Sequence, residues 1–481
     1  MKKTLLFLGL LGATTSAHAQ VNLGPWVQVN TPVSNAFAPG YLVRHVSTVS
    51  PTVAWAVAEE NSATGTANFF FRTNNTAGTE FDFDAITASG SNTTYETANI
   101  SAISANVAYA GKYGSAGGGE VLKTINGGAS WTRVSNPATM FVTAAGGFLD
   151  FIHFWDANTG VAVGDPTNGY FEIWRTTDGG TTWTRLPQTS MPQVVNAQEY
   201  GLVRSYFVQG NTLWFGGASS VDTDPVRVFK STNQGLTYTA SPNTSLVGTI
   251  SKLAFKDALN GIAYHVEAST TAVTGVSLIR TADGGATWLP ITPVNNATGS
   301  FFRYDIDGVN GRYVSTGIRF PPTTPGVSAD FGTSVSTDGI NWNNISSGQG
   351  FFAIDLIPNG TTNAQGYAGA ATDASGVGGL YRTSAAFPLA TRDAALQNTL
   401  SVYPNPSADG VFNVNLGSTL KAGAQLTVVD ALGRTVKTST LNATQIGSKT
   451  FTLDLSTEKT GVYTLQIRTD AGIATQKLVL N

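Results

Sequence analysis

Cysteine is absent from this sequence of 481 residues, and its absence excludes several kinds of chemistry at once. Without thiols the chain has no disulfides, no cysteine nucleophile and no thiolate metal site. Histidine is scarce, and the four that occur do not form a closely spaced pair of the kind that binds zinc. Stability must therefore come from a large apolar core, which a chain of this length can build.

Charged residues are also few, at 12% of the chain against about 25% in an average soluble protein. The formal net charge is -3, which argues against a nucleic-acid partner because phosphate binding needs a basic surface. Glycine is abundant, with 53 residues, and aromatic residues make up 10%. This composition favours short strands joined by tight turns over long helices.

Long hydrophobic runs are missing as well. The apolar run from Leu5 to Leu11 follows two lysines and precedes the small-x-small sequence at Ala17 to Ala19. This pattern predicts a secretory signal peptide over residues 1–19. The alternative, an uncleaved anchor helix, needs about 20 apolar residues, which is more than this run supplies. No other segment of the sequence predicts a transmembrane span.

What the chain does contain is an element that recurs about every 50 residues. The clearest copies run from Thr176 to Trp183 and from Thr281 to Trp288, and both read Thr-x-Asp-Gly-Gly-x-Thr-Trp. The starting Thr or Ser positions of the seven copies are 73, 124, 176, 231, 281, 336 and 383. A short apolar strand precedes each copy. A period of this length with only short strands predicts an all-β, seven-bladed β-propeller over residues 20–387.

The positions that recur in the copies of this element have a structural interpretation. Asp or Asn accepts backbone hydrogen bonds, the glycines permit positive φ, and the aromatic residue packs between sheets. Because the turn uses the hydrogen-bonding capacity of these acids, we interpret them as structural and not catalytic. The residues are Asn126, Trp131, Asp178, Trp183, Asn233, Tyr238, Asp283, Trp288, Asp338 and Trp342.

The last copy lacks a fourth strand led by an aromatic residue. Residues 26–32 begin with Trp26 and resemble the fourth strand of the other blades, but no first, second and third strands precede them. We therefore predict that residues 26–32 complete the last blade, because this pairing removes two exposed sheet edges at once.

On these motifs, residues 20–387 resemble propellers built from the Asp-box, or bacterial neuraminidase repeat. They look most like the photosystem II assembly factors and their bacterial relatives, and sortilin-like and sialidase propellers share the box. The resemblance implies the fold and says little about function.

The pattern changes after Phe387. Residues 388–399 are predicted to be a linker, and residues 400–481 a small β-sandwich of the Ig-like kind. This segment contains a Tyr-Pro-Asn-Pro opening at Tyr403, an Asp-x-Leu-Gly-Arg turn at Asp430, a Gly-Val-Tyr strand at Gly461 and a Lys-x-Val ending at Lys477.

In that order these motifs resemble the type A C-terminal sorting domain of the type IX secretion system of Bacteroidetes. The resemblance implies passage through the Sec pathway, recognition by the outer-membrane translocon and removal by its sorting peptidase. The mature protein would then be extracellular or held at the outer-membrane surface. The alternative is an ordinary Ig-like adhesion module, which has the same architecture.

Propeller ligands usually bind on the face where the loops from fourth to first strands and the loops from second to third strands gather around the channel, and we take the loops from second to third strands as the place for a site. The candidate residues in these loops are Asp165, Tyr170, Asp222, Asp224, Glu267 and Arg319. Converging carboxylates there could catalyse glycoside hydrolysis or hold Ca²⁺, the one cofactor that we consider. The alternative is a solvated acidic rim.

Two functional classes follow. The sequence has no sialidase-type Arg-Ile-Pro opening, no nucleophile elbow and no phosphate loop in a suitable context. This favours a binding or scaffold propeller for an extracellular protein or glycan. The alternative is a secreted glycoside hydrolase that acts on polysaccharide with carboxylates at the channel mouth.

Overall fold

The computed structural model describes most of the chain: residues 26–29, 40–60, 67–268, 273–294, 300–317, 332–346, 349–360, 363–372, 378–383, 387–388, 394–417, 420, 424–430, 435–469 and 472–481. The chain divides into two units. The first comprises residues 1–357 and 365–384, and the second comprises residues 358–364 and 385–481.

The chain up to residue 383 is built from short strands. The first thirteen are β1 (Trp26–Gln28), β2 (Tyr41–Ser50), β3 (Val53–Glu60), β4 (Phe69–Thr73), β5 (Phe81–Ala85), β6 (Glu96–Ala102), β7 (Ala108–Tyr113), β8 (Gly119–Thr124), β9 (Thr132–Arg133), β10 (Leu149–Phe154), β11 (Gly160–Thr167), β12 (Tyr170–Thr176) and β13 (Thr184–Arg185). The next fifteen are β14 (Glu199–Gln209), β15 (Thr212–Ser219), β16 (Val228–Ser231), β17 (Thr239–Ala240), β18 (Lys252–Phe255), β19 (Gly261–Ala268), β20 (Val273–Thr281), β21 (Leu289–Ile291), β22 (Asp305–Val309), β23 (Arg312–Gly317), β24 (Gly332–Ser336), β25 (Asn343–Ser346), β26 (Ala353–Asn359), β27 (Asn363–Thr372) and β28 (Gly378–Thr383).

These strands form antiparallel sheets in which sequence neighbours pair. Five sheets of four strands have the orders β6-β7-β8-β9, β10-β11-β12-β13, β14-β15-β16-β17, β18-β19-β20-β21 and β22-β23-β24-β25. In a larger sheet, β2-β3-β4-β5 continues through β27 and β28 to β1, and β26 also pairs with β27. Successive four-stranded meanders of this kind are typical of a β-propeller, and the all-β prediction is confirmed.

The N-terminal strand lies beside the C-terminal strand of the first unit. In the antiparallel pair β1–β28, Trp26 lies opposite Thr383 and Gln28 opposite Tyr381. The Trp26 ring is buried and lies 5.0 Å from the ring centroid of Phe351. Residues 30–32 of the predicted closing strand lie outside the described residues.

Aromatic side chains fill the spaces between successive sheets. Tyr109 of β7 stacks on Phe154 of β10 with ring centroids 3.4 Å apart. Trp214 of β15 stacks in the same way on Phe255 of β18, at 3.9 Å. These flat contacts bury large apolar areas at each sheet-to-sheet interface, which is how a chain without disulfides obtains its stability.

The repeated turns use their polar groups internally. The Thr176 hydroxyl accepts a hydrogen bond from the Gly180 amide at 2.9 Å and donates one to Asp178 at 2.8 Å. The hydroxyl and backbone amide of Thr182 also donate to Asp178, and they lower the pKa of this carboxyl to about 2. Gly180 has a φ of 87°, which favours glycine.

The copies that begin at Thr124, Ser231, Thr281 and Ser336 share this geometry. Asp283 accepts hydrogen bonds from Thr281 and Thr287, Asp338 accepts from Ser336 and Asn341, Asn126 from Thr124 and Ser130, and Asn233 from Ser231 and Thr237. Of the aromatic residues, Trp131, Tyr238, Trp288 and Trp342 are buried and Trp183 is half-buried.

Side chains also tie the first strand of one sheet to the first strand of the next. Asn99 of β6 accepts a hydrogen bond from the Ile152 amide of β10 at 3.0 Å and donates one to the Ile152 carbonyl at 2.8 Å. Two residues further on, Ser101 accepts a hydrogen bond from the Phe154 amide at 2.9 Å.

Carboxylates make the same kind of contact between later strands. Asp305 and Asp307 of β22 accept hydrogen bonds from backbone amides of β26 at 2.9 and 2.6 Å. Asp355 of β26 in turn accepts a hydrogen bond from a backbone amide of β2. These bonds provide acceptors for buried backbone donors that the sheets themselves leave unpaired.

The second unit contains β29 (Phe387–Pro388), α1 (Ala394–Thr399), β30 (Ser401–Tyr403), β31 (Val411–Asn415), β32 (Gln425–Asp430), β33 (Thr435–Thr440), α2 (Ala443–Ser448), β34 (Thr450–Asp454), β35 (Gly461–Thr469) and β36 (Gly472–Leu480). A three-stranded sheet, β30-β31-β34, and a four-stranded sheet, β33-β32-β35-β36, share one core. Alternating side chains such as Phe412, Val414, Leu426 and Leu465 supply it.

The structure differs from the expected linker over residues 388–399. Helix α1 occupies the second half of this segment, and Leu396 is 1% exposed in the core of the second unit. Burial of Leu396 and Leu400 on the same core gives the helix a packed face, so residues 394–399 are part of the folded unit.

Candidate functional site

A cleft of about 630 Å³ opens in the first unit where four segments meet: residues 115–117, 143–148, 165–166 and 197–200. The first segment follows the second strand β7, and the third belongs to the end of the second strand β11. The segment 143–148 precedes the first strand β10, and the segment 197–200 leads into and begins the first strand β14. This is the set of connections where the sequence predicts a ligand site.

Polar side chains line most of the cleft. Ser115, Thr143, Gln198 and Tyr200 present hydroxyl and amide groups, and Phe148 supplies an apolar wall. Burial raises the pKa of Tyr200, and the negative charges of Asp150 and Asp222 raise it further. The Tyr200 hydroxyl therefore stays protonated at neutral pH and is able to donate a hydrogen bond.

Gly201 lies between two carboxylates beside this cleft. Its amide donates a hydrogen bond to Oδ1 of Asp165 at 3.1 Å. A Cβ atom at Gly201 would lie 1.9 Å from Oδ2 of Asp150, so any larger residue would require the Asp150 carboxylate to move. Both carboxylates are buried, with Asp150 1% and Asp165 4% exposed.

A third acid of the cleft, Glu199, is paired. Arg227 donates to both of its oxygens, at 2.9 and 2.7 Å, and the Val195 amide donates to it at 3.0 Å. A carboxylate held by a two-pronged guanidinium contact is fixed in position and neutralised. Glu199 therefore shapes the cleft and is poorly placed to transfer protons.

A second group of charged side chains lies next to the cleft. Tyr113 packs against Phe148 with ring centroids 5.3 Å apart, and its hydroxyl donates to Glu96 at 3.0 Å. Burial raises the pKa of Tyr113, the Glu96 charge raises it further, and the positive charge of Arg204 opposes this. Arg204 of β14 thus lies near residues of β6 and β7.

Further charged side chains in this group come from the strands β2 and β18. Arg44 of β2 pairs with Glu59 at 2.5 Å, and Lys252 of β18 pairs with Asp305 at 2.9 Å. Burial lowers the pKa of His45 well below its ordinary range, and the charges of Arg204 and Lys252 lower it further. Burial raises the pKa of Tyr304, and the charges of Arg44 and Arg204 oppose this. We call Arg44, His45, Tyr113, Arg204, Lys252 and Tyr304 the inner-strand cationic group.

Three of the predicted ligand residues lie along one stretch of this face. Asp165 lines the cleft, and the charge of Asp222 acts on Tyr200. Burial lowers the pKa of His265, whereas the charges of Asp222 and Glu267 oppose this, which places both acids near the ring. Glu267 itself is exposed and accepts a hydrogen bond from Ser277.

The structure does not place the other three in the cleft. Asp224 accepts hydrogen bonds from Ser219 at 2.9 Å and from Asn196 at 3.4 Å. Tyr170 lies under the Arg185 guanidinium, which is 4.8 Å from the ring centroid. Arg319 lies outside the described residues.

Sequence reasoning missed Asp150, Glu199, Tyr200 and Arg204. All four lie on the first strands β10 and β14, whereas the predicted ligand residues belong to the loops between second and third strands. A signal was present at Asp150, because a carboxylate inside the apolar run from Phe148 to Ile152 is costly unless it has a partner or a role.

Among the residues with described positions, no group of three or more His, Asp or Glu side chains has the arrangement of a metal site. No described helix is both long and apolar enough to cross a membrane.

Comparison with known proteins bears on the second unit. Residues 401–481 match the family described as the secretion system C-terminal sorting domain. The chain is therefore exported by type IX secretion to the cell surface or the extracellular space, as the sequence motifs predict. The chain has no match among curated proteins.

Solved structures resemble the chain at low identity. The YCF48 protein bound to D1 peptide is 14% identical with a TM-score of 0.47, over 76% of this chain and 98% of that one. PorZ, a surface component of the type IX secretion system of Porphyromonas gingivalis, is 10% identical with a TM-score of 0.42, over 89% of this chain and 64% of that one. The GH74 xyloglucanase from Xanthomonas campestris is 13% identical with a TM-score of 0.45, over 81% of this chain and 59% of that one.

Proposed function

We propose that this protein is a binding module outside the cell, in which a seven-bladed propeller engages an extracellular glycan or protein through the cleft around Gly201. In this proposal the Ig-like second unit is recognised by the type IX translocon and is removed by its sorting peptidase.

The sheet order supports seven blades. The larger sheet divides into two four-stranded parts, β2-β3-β4-β5 and β26-β27-β28-β1, which are joined at the pair Leu42 and Ala371. With the five separate sheets these parts make seven, one for each repeat in the sequence. Pairing of β1 with β28 then closes the ring.

The observation that carries the binding role is the lining of the cleft. Donors and acceptors are fixed there by partners: Glu199 by Arg227, and Asp165 by the Gly201 amide. Hydroxyl and amide side chains complete the lining. Prepositioned polar groups of this kind match the many hydroxyls of a sugar chain, so we favour a glycan over a protein.

One observation favours the alternative, a glycoside hydrolase. Asp150 and Asp165 approach the same glycine at one side of the cleft, and hydrolysis of glycosides requires two carboxylates flanking the scissile bond. The remaining polar lining would then position the sugar.

A glycan array with the purified full chain, run beside a polysaccharide hydrolysis screen, tests both roles. We expect glycan binding without product release, and loss of binding in Gln198→Ala and Tyr200→Ala. Gln188→Ala is the matched control, because Gln188 is exposed and lies outside the cleft. Product release that disappears in Asp165→Asn would favour the hydrolase, and an array with no bound glycan would contradict the glycan role.

A further inference from the structure

Arg204 has an unusual backbone conformation. Its φ is 64°, in the left-handed region, and it lies in the gap between Gly201 and Tyr206 where β14 shifts register against β15. A side chain other than glycine, asparagine or aspartate is costly in this conformation. Strain of this kind persists only where the surroundings impose it, and it concentrates at binding sites.

The guanidinium of Arg204 lacks the partners that its neighbours have. Its Nη1 atom is buried and has no hydrogen-bond partner, and none of the described acidic side chains forms an ion pair with it. By contrast, Arg44, Lys252 and Arg227 are each paired with a carboxylate. A buried charged donor without an acceptor is unfavourable, which indicates that an acceptor is supplied from outside the chain.

The side chains around Arg204 come from several sheets. Its positive charge acts on His45 of β2, on Tyr113 of β7 and on Tyr304, which directly precedes β22. The Nδ1 atom of His45 is buried and also has no hydrogen-bond partner among the described residues. A second buried polar atom that lacks a described partner therefore belongs to the same group of side chains as Arg204.

On these observations we propose that Arg204 and the inner-strand cationic group bind a carboxylate of an acidic glycan that lies in the neighbouring cleft. The inference rests on the glycan role proposed above and adds that the sugar chain carries uronic acid units. The contact between Tyr113 and Phe148 connects the cationic group with the cleft wall.

The charges in this region favour a single negative charge over a doubly charged phosphate. Glu59 and Glu96 already lie here, one paired with Arg44 and the other with the Tyr113 hydroxyl. Both would repel a dianion, whereas one carboxylate matches the guanidinium of Arg204, for which the described residues supply no ion-pair partner. Arginine binds carboxylates through two parallel hydrogen bonds, a geometry that lysine does not reproduce.

Binding of galacturonate oligosaccharides to the purified full chain, measured by calorimetry, tests the proposal. The carboxyl-reduced oligosaccharide is the neutral comparison and polyglutamate is the peptide comparison. We expect the acidic sugar to bind at least about tenfold more tightly than its reduced form, because an ionic two-pronged contact is lost on reduction.

Substitutions then assign the effect to one side chain. Arg204→Gln should weaken binding of the acidic sugar by about tenfold or more and abolish discrimination against the reduced form, and Arg204→Lys should be intermediate. Arg312→Gln removes the same charge at the start of β23, where Arg312 lies opposite Val309 at the far end of β22 from Tyr304, and it should change the affinity less than about twofold. Thermal unfolding of each variant checks that the fold is retained.

The outcomes are distinguishable. Equal binding of both sugars, with no effect of Arg204→Gln, overturns the carboxylate site and leaves the glycan role standing. Binding of polyglutamate alone overturns the glycan source, and an absence of binding to any sugar overturns the proposed function and this inference together.

Discussion

Single buried hydroxyl groups organise the repeated turns, and Thr176 is the clearest case. It is 2% exposed, accepts the Gly180 amide and donates to Asp178. The Asp178 carboxylate is exposed but is held by the hydroxyl and amide of Thr182. Because the folded-state pKa of Asp178 is lowered to about 2, its contribution to stability is present above its ordinary pKa of 3.8 and is lost as the pH falls towards 2.

Replacement of the Thr176 hydroxyl by a methyl group should measure this role. In Thr176→Val the shape is kept while the buried Gly180 amide loses its acceptor, so we expect a loss of about 1–3 kcal/mol in the free energy of unfolding. Thr181→Val, in the same turn but exposed, should change it by less than about 0.5 kcal/mol. Equal losses in both variants, measured by chemical denaturation, would contradict a special role for the buried hydroxyl.

The turns could be predicted from the sequence because the side chains of Thr176 and Asp178 find their partners within the eight residues of the repeat. The contact between Asn99 and Ile152 could not, because it joins residues 53 positions apart and depends on how two first strands pack. Arg204 was missed for a related reason. Its strained φ and unpaired Nη1 arise from a register shift between β14 and β15, and no local motif encodes that shift.

At the scale of strands, neighbouring first strands are joined by two chemically different kinds of contact. Between β6 and β10 the acceptors are Asn99 and Ser101, which are neutral at every pH. Between β22, β26 and β2 the acceptors are carboxylates, and burial raises the pKa of Asp355 to about 6. Burial and the charge of Asp355 also raise the pKa of Asp307 well above its usual range.

The carboxylate contacts make stability depend on pH in a defined direction. Since the pKa of Asp355 in the folded state lies above its ordinary value of 3.8, the folded protein binds a proton at a higher pH than the unfolded chain does. This group therefore destabilises the fold above about pH 6, and the penalty disappears as the pH falls from 6 towards 3.8.

Asp355→Asn tests this sign, because the amide oxygen can still accept the Thr48 hydrogen bond. We expect a higher unfolding temperature than that of the parent at pH 8 and little difference at pH 4.5. The same substitution at Asp156, whose pKa is lowered mainly by the Asn158 and Thr159 amides, should lower the unfolding temperature at pH 8. If Asp355→Asn lowers the unfolding temperature at pH 8, as Asp156→Asn should, then the ionised Asp355 carboxylate stabilises the fold and the expected sign is wrong.

At the scale of the whole molecule, the repeat count and the tail motifs were the strongest sequence signals. The export prediction is confirmed by the match of residues 401–481. The position of the second unit's first helix was not predicted, because Leu396 lies in a segment that lacks a clear periodic pattern. Its burial depends on a core assembled from residues further along the chain.

Trp26 should be important for the stability of the first unit well beyond its own strand. It is 3% exposed and packs on Phe351, whereas its neighbour Val27 is 42% exposed. We expect Trp26→Ala to lower the free energy of unfolding by about 3–5 kcal/mol, because it leaves a cavity beside β28. Val27→Ala is the control and should cost less than about 0.5 kcal/mol. If calorimetry gives the same free energy of unfolding for both variants, the stability of the first unit does not depend on the contact between Trp26 and Phe351.

The pairing of Trp26 with Thr383 also sets an order of events during biosynthesis. The partner of β1 is the last strand of the first unit to be synthesised, so β1 has no partner at this edge until β28 is present. A polypeptide that stops short of β28 carries a loose end and an open edge, which are the features that proteases attack first. We therefore expect fragments that end before β28 to be degraded faster than chains that include it.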